Sequence, residues 1–330
     1  MIPAAMRAVI LREYQAGLDH LSVDDFPIPQ PGDHDVIVKM TSAPVHPSDL
    51  AFIQGRYGFR RALPTVPGFE GSGVILAVGA QANQTLIGQR VACLATRADG
   101  TWAQYLCTGE QDVIPLPNSI SDDLAAALLV NPLSAWAMVD LARASGAKAI
   151  VQTAAAGALG KMIMRLCQRW GIETINIIRR EAQISELEQS GARYILNSSE
   201  PTFDKHLREL CVTLGAHIAF DAVGGSLSAS VLRALPNGST LIIYGGLDGQ
   251  PAQFTVDQFI FRAKQVRGFW LSHWMRDVSS ETRAEALMDI LANSEDFTSP
   301  IAGRYPLEQA PQALQTYESS MTAGKVLLIP

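Results

Sequence analysis

The feature that most constrains the fold is an alternation of strand-like and helical segments between residues 148 and 270. Short apolar segments predict strands at 148–153, 173–178, 193–196, 216–221, 239–243 and 265–270. Helical patterns fill the gaps around 158–170, 181–190, 202–214 and 226–235. Strands that alternate with helices in this way form a parallel sheet with helices on both faces. The segment therefore predicts a doubly wound α/β domain with a six-stranded parallel sheet.

A turn of small residues follows the first predicted strand. From Ala155 to Gly160 the chain follows the pattern A-x-G-x-x-G, with alanine where dinucleotide-binding turns usually have their first glycine. Small residues let the backbone approach a pyrophosphate, whose charge is stabilised by the N-terminus of the helix behind the turn. The pattern predicts that Ala155, Gly157, Leu159 and Gly160 bind a dinucleotide, and the alternative is a plain tight turn.

Two arginines end the second strand of this series. Arg179 and Arg180 follow about 22 residues after Gly157, where an NAD-binding site usually carries Asp or Glu for the ribose 2′-hydroxyl. A guanidinium instead offers paired donors that match a 2′-phosphate. We therefore predict NADPH as the cofactor. The alternative is a solvated pair that begins the next helix, with Glu181 as an ion-pair partner.

Glycine-rich turns follow the fourth and fifth predicted strands, at 221–225 and 244–246. Carboxyl ends of parallel strands lie along one edge of the sheet, where ligands of such sheets bind. Generic turns could have the same residues, but their joint arrangement favours a cofactor site. These turns add the following predicted cofactor contacts: Val223, Gly224, Tyr244, Gly245 and Gly246.

The rest of the chain predicts a second, β-rich domain. Up to residue 121, short β-branched segments such as 35–40 and 73–78 are bounded by glycines and prolines, which suit turns and oppose helices. Near Ser121 the pattern changes to an Ala- and Leu-rich helical run. Beyond Trp270 we predict helices around 281–293 and 307–319, and a final strand that rejoins the first domain. The predicted domains are 1–121 together with 271–330, and 122–270.

Composition and charge limit the possible partners. A formal net charge of −6 gives no basic excess for nucleic acid, and no run of about 18 apolar residues predicts a membrane span. The four cysteines form no CxxC pair and fit buried positions in a reducing compartment. Residues 1–7 lack the pattern of a secretory signal or a transit peptide. We expect a cytoplasmic enzyme with a small-molecule substrate and neither nucleic-acid nor membrane partners.

Several longer motifs occur together: HPSD at 46–49, QGRYG at 54–58, VNP at 130–132, DAVGG at 221–225 and RGFWLSHW at 267–274. In these segments the chain resembles the medium-chain dehydrogenase/reductase superfamily over essentially its full length. The closest branch is that of the mitochondrial-type 2-enoyl thioester reductases, with the quinone oxidoreductases as the neighbouring branch. The thioester reductases usually have asparagine where this chain has His46.

The resemblance implies an architecture and further site residues. It implies a GroES-like β-barrel catalytic domain with an inserted Rossmann domain, and homodimers joined through the sheet edges of the Rossmann domains. Further cofactor contacts are implied at Asn131, Phe269, Trp270 and Lys325. The implied substrate pocket contains His46, Arg56 and Trp274, although core or interface packing is an equal alternative for the tryptophans.

The same superfamily includes zinc alcohol dehydrogenases, whose catalytic zinc needs about three Cys, His or carboxylate ligands. Their Gly-His-Glu motif falls here at Gly68-Phe69-Glu70, so phenylalanine stands where a ligand histidine would be. The ligand cysteine expected before Pro47 and the four-cysteine structural lobe are also missing. We predict an enzyme without a metal.

Without a metal, another group must stabilise charge on the substrate. By resemblance, Tyr57 stands at the position of the family's catalytic tyrosine, whose phenol can stabilise an enolate and donate a proton to the α-carbon. The predicted activity is NADPH-dependent reduction of an activated C=C bond in an enoyl thioester or enone. The alternatives are an NADPH:quinone oxidoreductase and a non-catalytic NADPH-binding protein. Arg56, Arg60 and Arg61 could receive the phosphates of coenzyme A or of an acyl carrier protein, or form a solvated loop.

Overall fold

The computed structural model describes residues 3–15 and 18–330. The chain divides into two compact units: unit 1 comprises Met1–Val130 with Phe297–Pro330, and unit 2 comprises Asn131–Asp296. None of the helices in the described ranges has the length and apolar content needed to cross a bilayer.

Unit 1 begins with short, mostly antiparallel strands. Its elements up to residue 130 are β1 (Ala5–Ile10), β2 (Ser22–Pro27), β3 (Asp35–Pro44), α1 (Pro47–Ile53), β4 (Glu70–Val78), β5 (Arg90–Leu94), β6 (Tyr105–Gly109), β7 (Val113–Pro115) and α2 (Asp122–Ala126). Prolines mark the element boundaries here: Pro44 ends β3 and Pro47 begins α1, where a fixed φ and a missing N–H cost little.

Unit 2 alternates strands and helices. Its elements are α3 (Val130–Ala144), β8 (Ala149–Gln152), α4 (Ala158–Arg169), β9 (Glu173–Ile178), α5 (Ile184–Gln189), β10 (Tyr194–Asn197), α6 (Phe203–Leu214), β11 (Ile218–Asp221), α7 (Gly225–Ala234), β12 (Thr240–Ile243), α8 (Asp257–Ile260), β13 (Gln265–Gly268), α9 (Leu271–Asp277) and α10 (Ser280–Ala292). The strands form one parallel sheet in the order β10-β9-β8-β11-β12-β13. The predicted six-stranded doubly wound sheet is confirmed.

The chain then returns to unit 1 with β14 (Ile301–Pro306), α11 (Ala310–Ser319) and β15 (Lys325–Ile329). Strand β15 pairs with β14 in parallel and with β3 antiparallel, so the last strand rejoins the first domain as predicted. The resulting seven-stranded sheet has the order β14-β15-β3-β4-β5-β7, and β6 pairs with β3. Strands β1 and β2 form a separate two-stranded sheet.

Both unit boundaries differ from the predicted ones. Helix α2 stays in unit 1 because its buried residues Ala125 and Ala126 lie on the face that packs against β3 and β4. Helices α9 and α10 stay in unit 2. The Trp274 ring in α9 lies 6.2 Å from that of Trp136, and Asp289 in α10 accepts a hydrogen bond from Trp136 Nε1 at 3.1 Å. Residues 122–130 therefore belong with the first domain, and residues 271–296 with the second.

Candidate functional site

In unit 2 the predicted cofactor turns lie along the carboxyl edge of the parallel sheet. They follow β8, β9, β11, β12 and β13, so each begins where its strand ends. Hydrogen bonds join the turns after β8 and β11. The Thr153 N–H donates to the Phe220 carbonyl at 3.0 Å, and its hydroxyl donates to Asp221 Oδ1 at 2.6 Å. The turn after β12 is joined to them because the Tyr244 N–H donates to the Asp221 carbonyl at 2.9 Å.

The turn between β8 and α4 has the features of an anion site. The N-cap of α4 is Gly157, which has no side chain to bond the first N–H groups of the helix. A Cβ on Gly160 would lie 2.6 Å from the Ala155 carbonyl oxygen, so only glycine lets the helix approach the turn this closely. Ala154 adopts a φ of +50°, a conformation that costs free energy for a residue with a side chain. This geometry fits the pyrophosphate of a dinucleotide.

Asp221 organises the turn after β11 from the inside of the protein. Its carboxylate is fully buried, and Oδ1 accepts the Val223 N–H at 2.9 Å. Oδ2 accepts the Gly224 N–H at 3.3 Å and the hydroxyl of Ser228. The sequence predicted this turn as a cofactor segment but did not show that Asp221 holds it together. The bond to Thr153 joins residues 68 positions apart, which no local pattern reveals.

Arg179 and Arg180 lie exposed directly after β9. Ser199 Oγ donates to the Arg179 carbonyl at 3.0 Å, which fixes the backbone at this point. Within residues 3–15 and 18–330, the Arg179 guanidinium forms no hydrogen bond or ion pair, so the alternative pairing with Glu181 does not occur for this arginine. Its donors are available to an anion.

The other predicted contacts in unit 2 lie at the start of α3 and after β12 and β13. Asn131 is half-buried in the first turn of α3. A Cβ on Gly245 would lie 2.7 Å from the Ala222 carbonyl oxygen, so the turn after β12 approaches the turn after β11 closely. Phe269 and Trp270 follow β13, and the Trp270 ring lies 4.6 Å from that of His273. Trp274 packs on Trp136, as described above, and its predicted contact with substrate stays a prediction.

Unit 1 contains a buried chain of ionisable side chains. Lys325 Nζ donates to His46 Nδ1 at 3.1 Å, and His46 Nε2 lies 2.6 Å from Glu70 Oε1. Because an ammonium group has no acceptor, the proton of His46 must be on Nε2, from which it is donated to Glu70. Glu70 Oε2 then accepts the N–H groups of Leu129 and Val130 at 2.8 and 2.9 Å. Within unit 1 this series of side chains ties β15 to the residue before α1, to the start of β4 and to residues 129–130.

This arrangement bears on the predicted roles of His46 and Lys325, whose exposed fractions are 1% and 3%. Both ring nitrogens of His46 are engaged within the protein, so neither is left for a substrate. The ammonium group of Lys325 is directed to His46 inside unit 1. A cation beside His46 opposes metal binding there, and among the described residues no three His, Cys, Asp or Glu side chains are grouped to hold a metal ion. The residues present therefore do not fit a catalytic zinc.

Asp49 lies next to the Lys325, His46 and Glu70 side chains, in the first turn of α1. Its Oδ2 accepts the His46 N–H at 2.7 Å, whereas Oδ1 is buried without a hydrogen-bond partner in the described part of the protein. Burial raises the pKa of Asp49 to about 8. Burial also lowers the pKa of Lys325 to about 8. The sequence signal for Asp49 is an acidic residue three positions after the residue that precedes a helix.

We expect the wild type to lose stability between pH 5 and 7 relative to Asp49→Asn. The folded-state pKa of Asp49 lies above its unfolded value of 3.8, so the folded protein binds more protons in this window. The stability contributed by such a group is present below the unfolded pKa and is lost as pH rises towards the folded pKa. One group contributes at most ~1.4 kcal/mol per pH unit, so we expect a difference of about 2 kcal/mol. Urea unfolding at both pH values measures it.

The matched control for this measurement is Asp25→Asn, because the Asp25 side chain is 79% exposed. It should leave the pH dependence as in the wild type. An equal loss of stability in Asp49→Asn and the wild type would show that Asp49 is ionised in the folded protein.

Tyr57 follows α1 and lies half-buried among aromatic rings of unit 1. Its ring centroid is 4.7 Å from that of Phe69 and 5.2 Å from that of Phe59. Phe52 joins the same cluster, 5.6 Å from Phe69. Phe69, which replaces the ligand histidine of the zinc enzymes, therefore has an apolar packing role next to the predicted catalytic tyrosine.

The predicted basic cluster beside Tyr57 does not face solvent as a unit. The Arg61 guanidinium turns inwards and donates to the carbonyl oxygens of Val66 and Ala95 at 3.1 and 3.0 Å. Arg60 is exposed but donates to a carbonyl of its own loop at 3.0 Å. Arg56 is exposed and bonds to a neighbouring glutamine. Two N–H donors of Arg61 are thus used within the protein, which disfavours a phosphate contact at Arg61, and the phosphate contacts of Arg56 and Arg60 stay predictions.

Comparison with known proteins identifies the family to which a chain with these two units belongs. Residues 32–118 match the family model of the alcohol dehydrogenase GroES-like domain, and residues 158–293 match that of the zinc-binding dehydrogenases. A mitochondrial enoyl-[acyl-carrier-protein] reductase from Bos taurus is 30% identical over 336 residues, which cover 99% of this chain and 89% of that protein. The chain therefore belongs to the medium-chain dehydrogenase/reductase superfamily, as the sequence motifs predicted.

Comparison with solved structures shows which enzymes of the superfamily this chain is similar to. A protein from Mesorhizobium loti assigned as an NADPH:quinone reductase superposes with a TM-score of 0.92 and 35% identity, covering 100% of both chains. A second one, from Bacillus thuringiensis, gives a TM-score of 0.90 and 28% identity, covering 99% of this chain and 100% of that chain. The relatives are thus enoyl reductases and quinone reductases, and the chain is an oxidoreductase of this kind.

Proposed function

We propose that the protein is an NADPH-dependent reductase of activated C=C bonds whose substrate is an enoyl thioester or an enone. The observation that carries the proposal is the position of Tyr57, a phenol on a half-buried ring in a chain similar over its full length to enoyl reductases. The hydroxyl is the group that an enoyl reductase without a metal needs. A quinone reductase does not need a proton donor in a fixed place.

Residues of unit 2 would hold the cofactor. The uncapped N-terminus of α4 binds the pyrophosphate, and Arg179 and Arg180 bind the 2′-phosphate. The glycines after β11 and β12 let the cofactor pass close to the backbone. When bound, NADPH supplies a hydride to the substrate and is oxidised to NADP⁺.

Tyr57 would supply the proton that completes the reduction. Hydride addition at the β-carbon moves an electron pair towards the carbonyl oxygen of the substrate, which becomes an enolate oxygen. The phenol of Tyr57 donates a hydrogen bond to that oxygen and then a proton to the α-carbon. Hydride and proton together saturate the double bond, and the phenolate regains its proton from solvent.

A second candidate function is reduction of quinones by NADPH. It is favoured by the structure from Mesorhizobium loti, which combines 35% identity with a TM-score of 0.92. In that case Tyr57 would only line the substrate pocket, and its replacement by phenylalanine would leave quinone reduction intact.

The test is to mix the purified protein with NADPH and trans-2-enoyl-CoA of several chain lengths, and in parallel with a quinone, and to follow NADPH absorbance. Faster oxidation with the enoyl thioester, together with a product saturated at the double bond, is the expected result. Oxidation with the quinone alone would move the protein to the second function. No oxidation with either class would remove both.

We also propose that the protein forms homodimers through the β13 edge of its parallel sheet. Strand β13 is at the end of the sheet, so no strand of residues 3–15 or 18–330 pairs with one side of its backbone. The segment just before it exposes apolar side chains: Val256 and Ile260 are each 65% exposed and Phe261 is 80% exposed. An apolar patch beside an open strand edge is the kind of surface that a second subunit covers.

Replacing Phe261 by aspartate should therefore give monomers of 35.6 kDa, whereas the wild type should sediment with twice this mass. The charge would have to be buried in the interface, which is unfavourable. The matched control is Val212→Asp, because Val212 is 66% exposed on α6, which packs near the other edge of the sheet. Sedimentation velocity measures the result. A monomeric wild type, or a Phe261→Asp variant that remains dimeric, would contradict the proposal.

A further inference from the structure

We propose that Arg61 is a positioning residue for Tyr57: the half-buried guanidinium of Arg61 stabilises the negative charge left on the phenol oxygen when Tyr57 gives up its proton. The inference rests on the proposed function of Tyr57 as proton donor. It assigns to Arg61 an electrostatic role instead of the phosphate contact that the sequence suggested.

The first support is the shared environment of the two side chains. The guanidinium carbon of Arg61 lies 5.8 Å from the ring centroid of Phe59 and 5.8 Å from that of Phe69. The Tyr57 ring packs against the same two rings, at 5.2 and 4.7 Å. The cation and the phenol are therefore neighbours of one pair of aromatic rings. Tyr57 and Arg61 are both half-buried, so water is partly displaced around them and a charge acts more strongly there than it does in solvent.

The second support is that the cation is fixed. Its two terminal nitrogens donate to the carbonyl oxygens of Val66 and Ala95, as described above. The Arg61 backbone is held as well, because the hydroxyl of Tyr14 accepts the Arg61 N–H at 2.8 Å and donates to the Arg61 carbonyl at 2.9 Å. The Arg61 side chain is thus fixed by hydrogen bonds at its backbone and at its guanidinium, so it is not free to reorient towards a phosphate in solvent.

The third support is the balance of charge around Arg61. Its guanidinium donates to neutral carbonyl groups, and within the described residues it forms no ion pair with a carboxylate closer than 4.0 Å. The carboxylates that act on it are Asp99 and Asp49. Asp99 Oδ1 already accepts the Val66 N–H at 3.1 Å, and burial keeps Asp49 protonated at neutral pH. Part of the positive charge of Arg61 therefore remains to act on nearby phenols.

Those phenols are Tyr14 and Tyr57, and the other cation of this loop is Arg60. The hydroxyl of Tyr14 is already used in its two hydrogen bonds with the Arg61 backbone. Tyr57 is the phenol that the proposed reaction ionises. A positive charge near it makes the phenol a stronger acid, which favours proton transfer to the substrate.

The experiment measures the ionisation of Tyr57 directly. Phenolate absorbance is titrated against pH in each protein and in the same protein carrying Tyr57→Phe, and the difference isolates Tyr57. In Arg61→Met the titration midpoint should rise by about one pH unit, because a half-buried charge is removed and Asp99 had offset only part of it. Arg61→Lys should keep most of the wild-type midpoint because it keeps the charge. Arg60→Met removes an exposed charge of the same loop and should shift the midpoint by less than about 0.3 unit.

We expect the pH dependence of turnover to change in the same variants as the Tyr57 titration midpoint. Tyr57 acts in its protonated form, so activity is lost as pH rises through the phenol pKa. In Arg61→Met this loss of activity should occur at a higher pH. At neutral pH, kcat of Arg61→Met should fall several-fold. An unchanged Tyr57 midpoint in a folded Arg61→Met protein, with folding checked by near-ultraviolet circular dichroism, would overturn the inference. Full turnover in Tyr57→Phe would instead remove the proposed function, and the titration would still decide whether Arg61 acts on the phenol.

Discussion

Tyr57→Phe should lower kcat for an enoyl thioester by about 10²-fold, the range that a positioned general acid contributes. Only the hydroxyl is removed, and the ring keeps its contacts with Phe59 and Phe69. The cofactor residues proposed in unit 2 are untouched, so the Kd for NADPH should be unchanged. Turnover is measured with enoyl-CoA at saturating NADPH, and NADPH binding by fluorescence titration without substrate.

The matched control is Tyr105→Phe, because Tyr105 is another half-buried tyrosine of unit 1 that packs on the same apolar core. It should turn over as the wild type does. Unchanged turnover in Tyr57→Phe would show that Tyr57 only lines the pocket, and it would favour quinone reduction as the function. A loss of both turnover and NADPH affinity would point to a distorted fold instead of a missing proton donor.

The parallel sheet could be predicted because its pattern is local. A strand and the helix that follows it each carry their own periodicity, and a turn between them has few suitable residues. The helix predicted at 158–170 is observed at Ala158–Arg169, and the strand predicted at 173–178 is observed at Glu173–Ile178. The cofactor turn between β8 and α4 could be predicted in the same way, because the backbone requires glycines at positions that lie only a few residues apart.

The unit boundaries could not be predicted in this way. The sequence shows where a helix begins, for example at Ser121, whose hydroxyl accepts the Leu124 N–H. It does not show which core the buried face of that helix will cover. Helix α10 follows the last predicted strand of the sheet, yet Asp289 binds Arg169 of α4 in unit 2 at 2.7 Å. Only the folded chain brings these two residues together.

The buried part of the candidate site was missed for the same reason. Lys325 and His46 are 279 positions apart in the chain, and Glu70 lies on another strand. No spacing rule relates them, so His46 was predicted to contact substrate and Lys325 to contact the cofactor. Arg61 shows a second limit. The sequence contains three arginines near Tyr57 but does not distinguish a solvated guanidinium from one that bonds to carbonyl groups of the protein.

Replacing Arg179 and Arg180 together by alanine should raise the KM for NADPH by about 10²-fold or more and leave the KM for NADH nearly unchanged. A hydrogen bond between charged partners contributes about 1.5–3 kcal/mol, and the two guanidinium groups can make more than one such bond to a 2′-phosphate. NADH lacks this phosphate, so it loses nothing. Initial rates with both cofactors, at a fixed saturating substrate, give the four KM values.

The matched control is Arg193→Ala, since Arg193 is 69% exposed just before β10, at the amino end of the same sheet. It removes a similar charge without approaching the carboxyl edge, so neither KM should change. Raising the salt concentration should weaken the preference of the wild type for NADPH and leave that of the double variant unaffected, because only exposed charges are screened. An equal rise of KM for both cofactors would mean that the arginines shape the turn after β9 and do not recognise the phosphate. The cofactor would then have to be reassigned, because no other residue at this edge was predicted to distinguish NADPH from NADH.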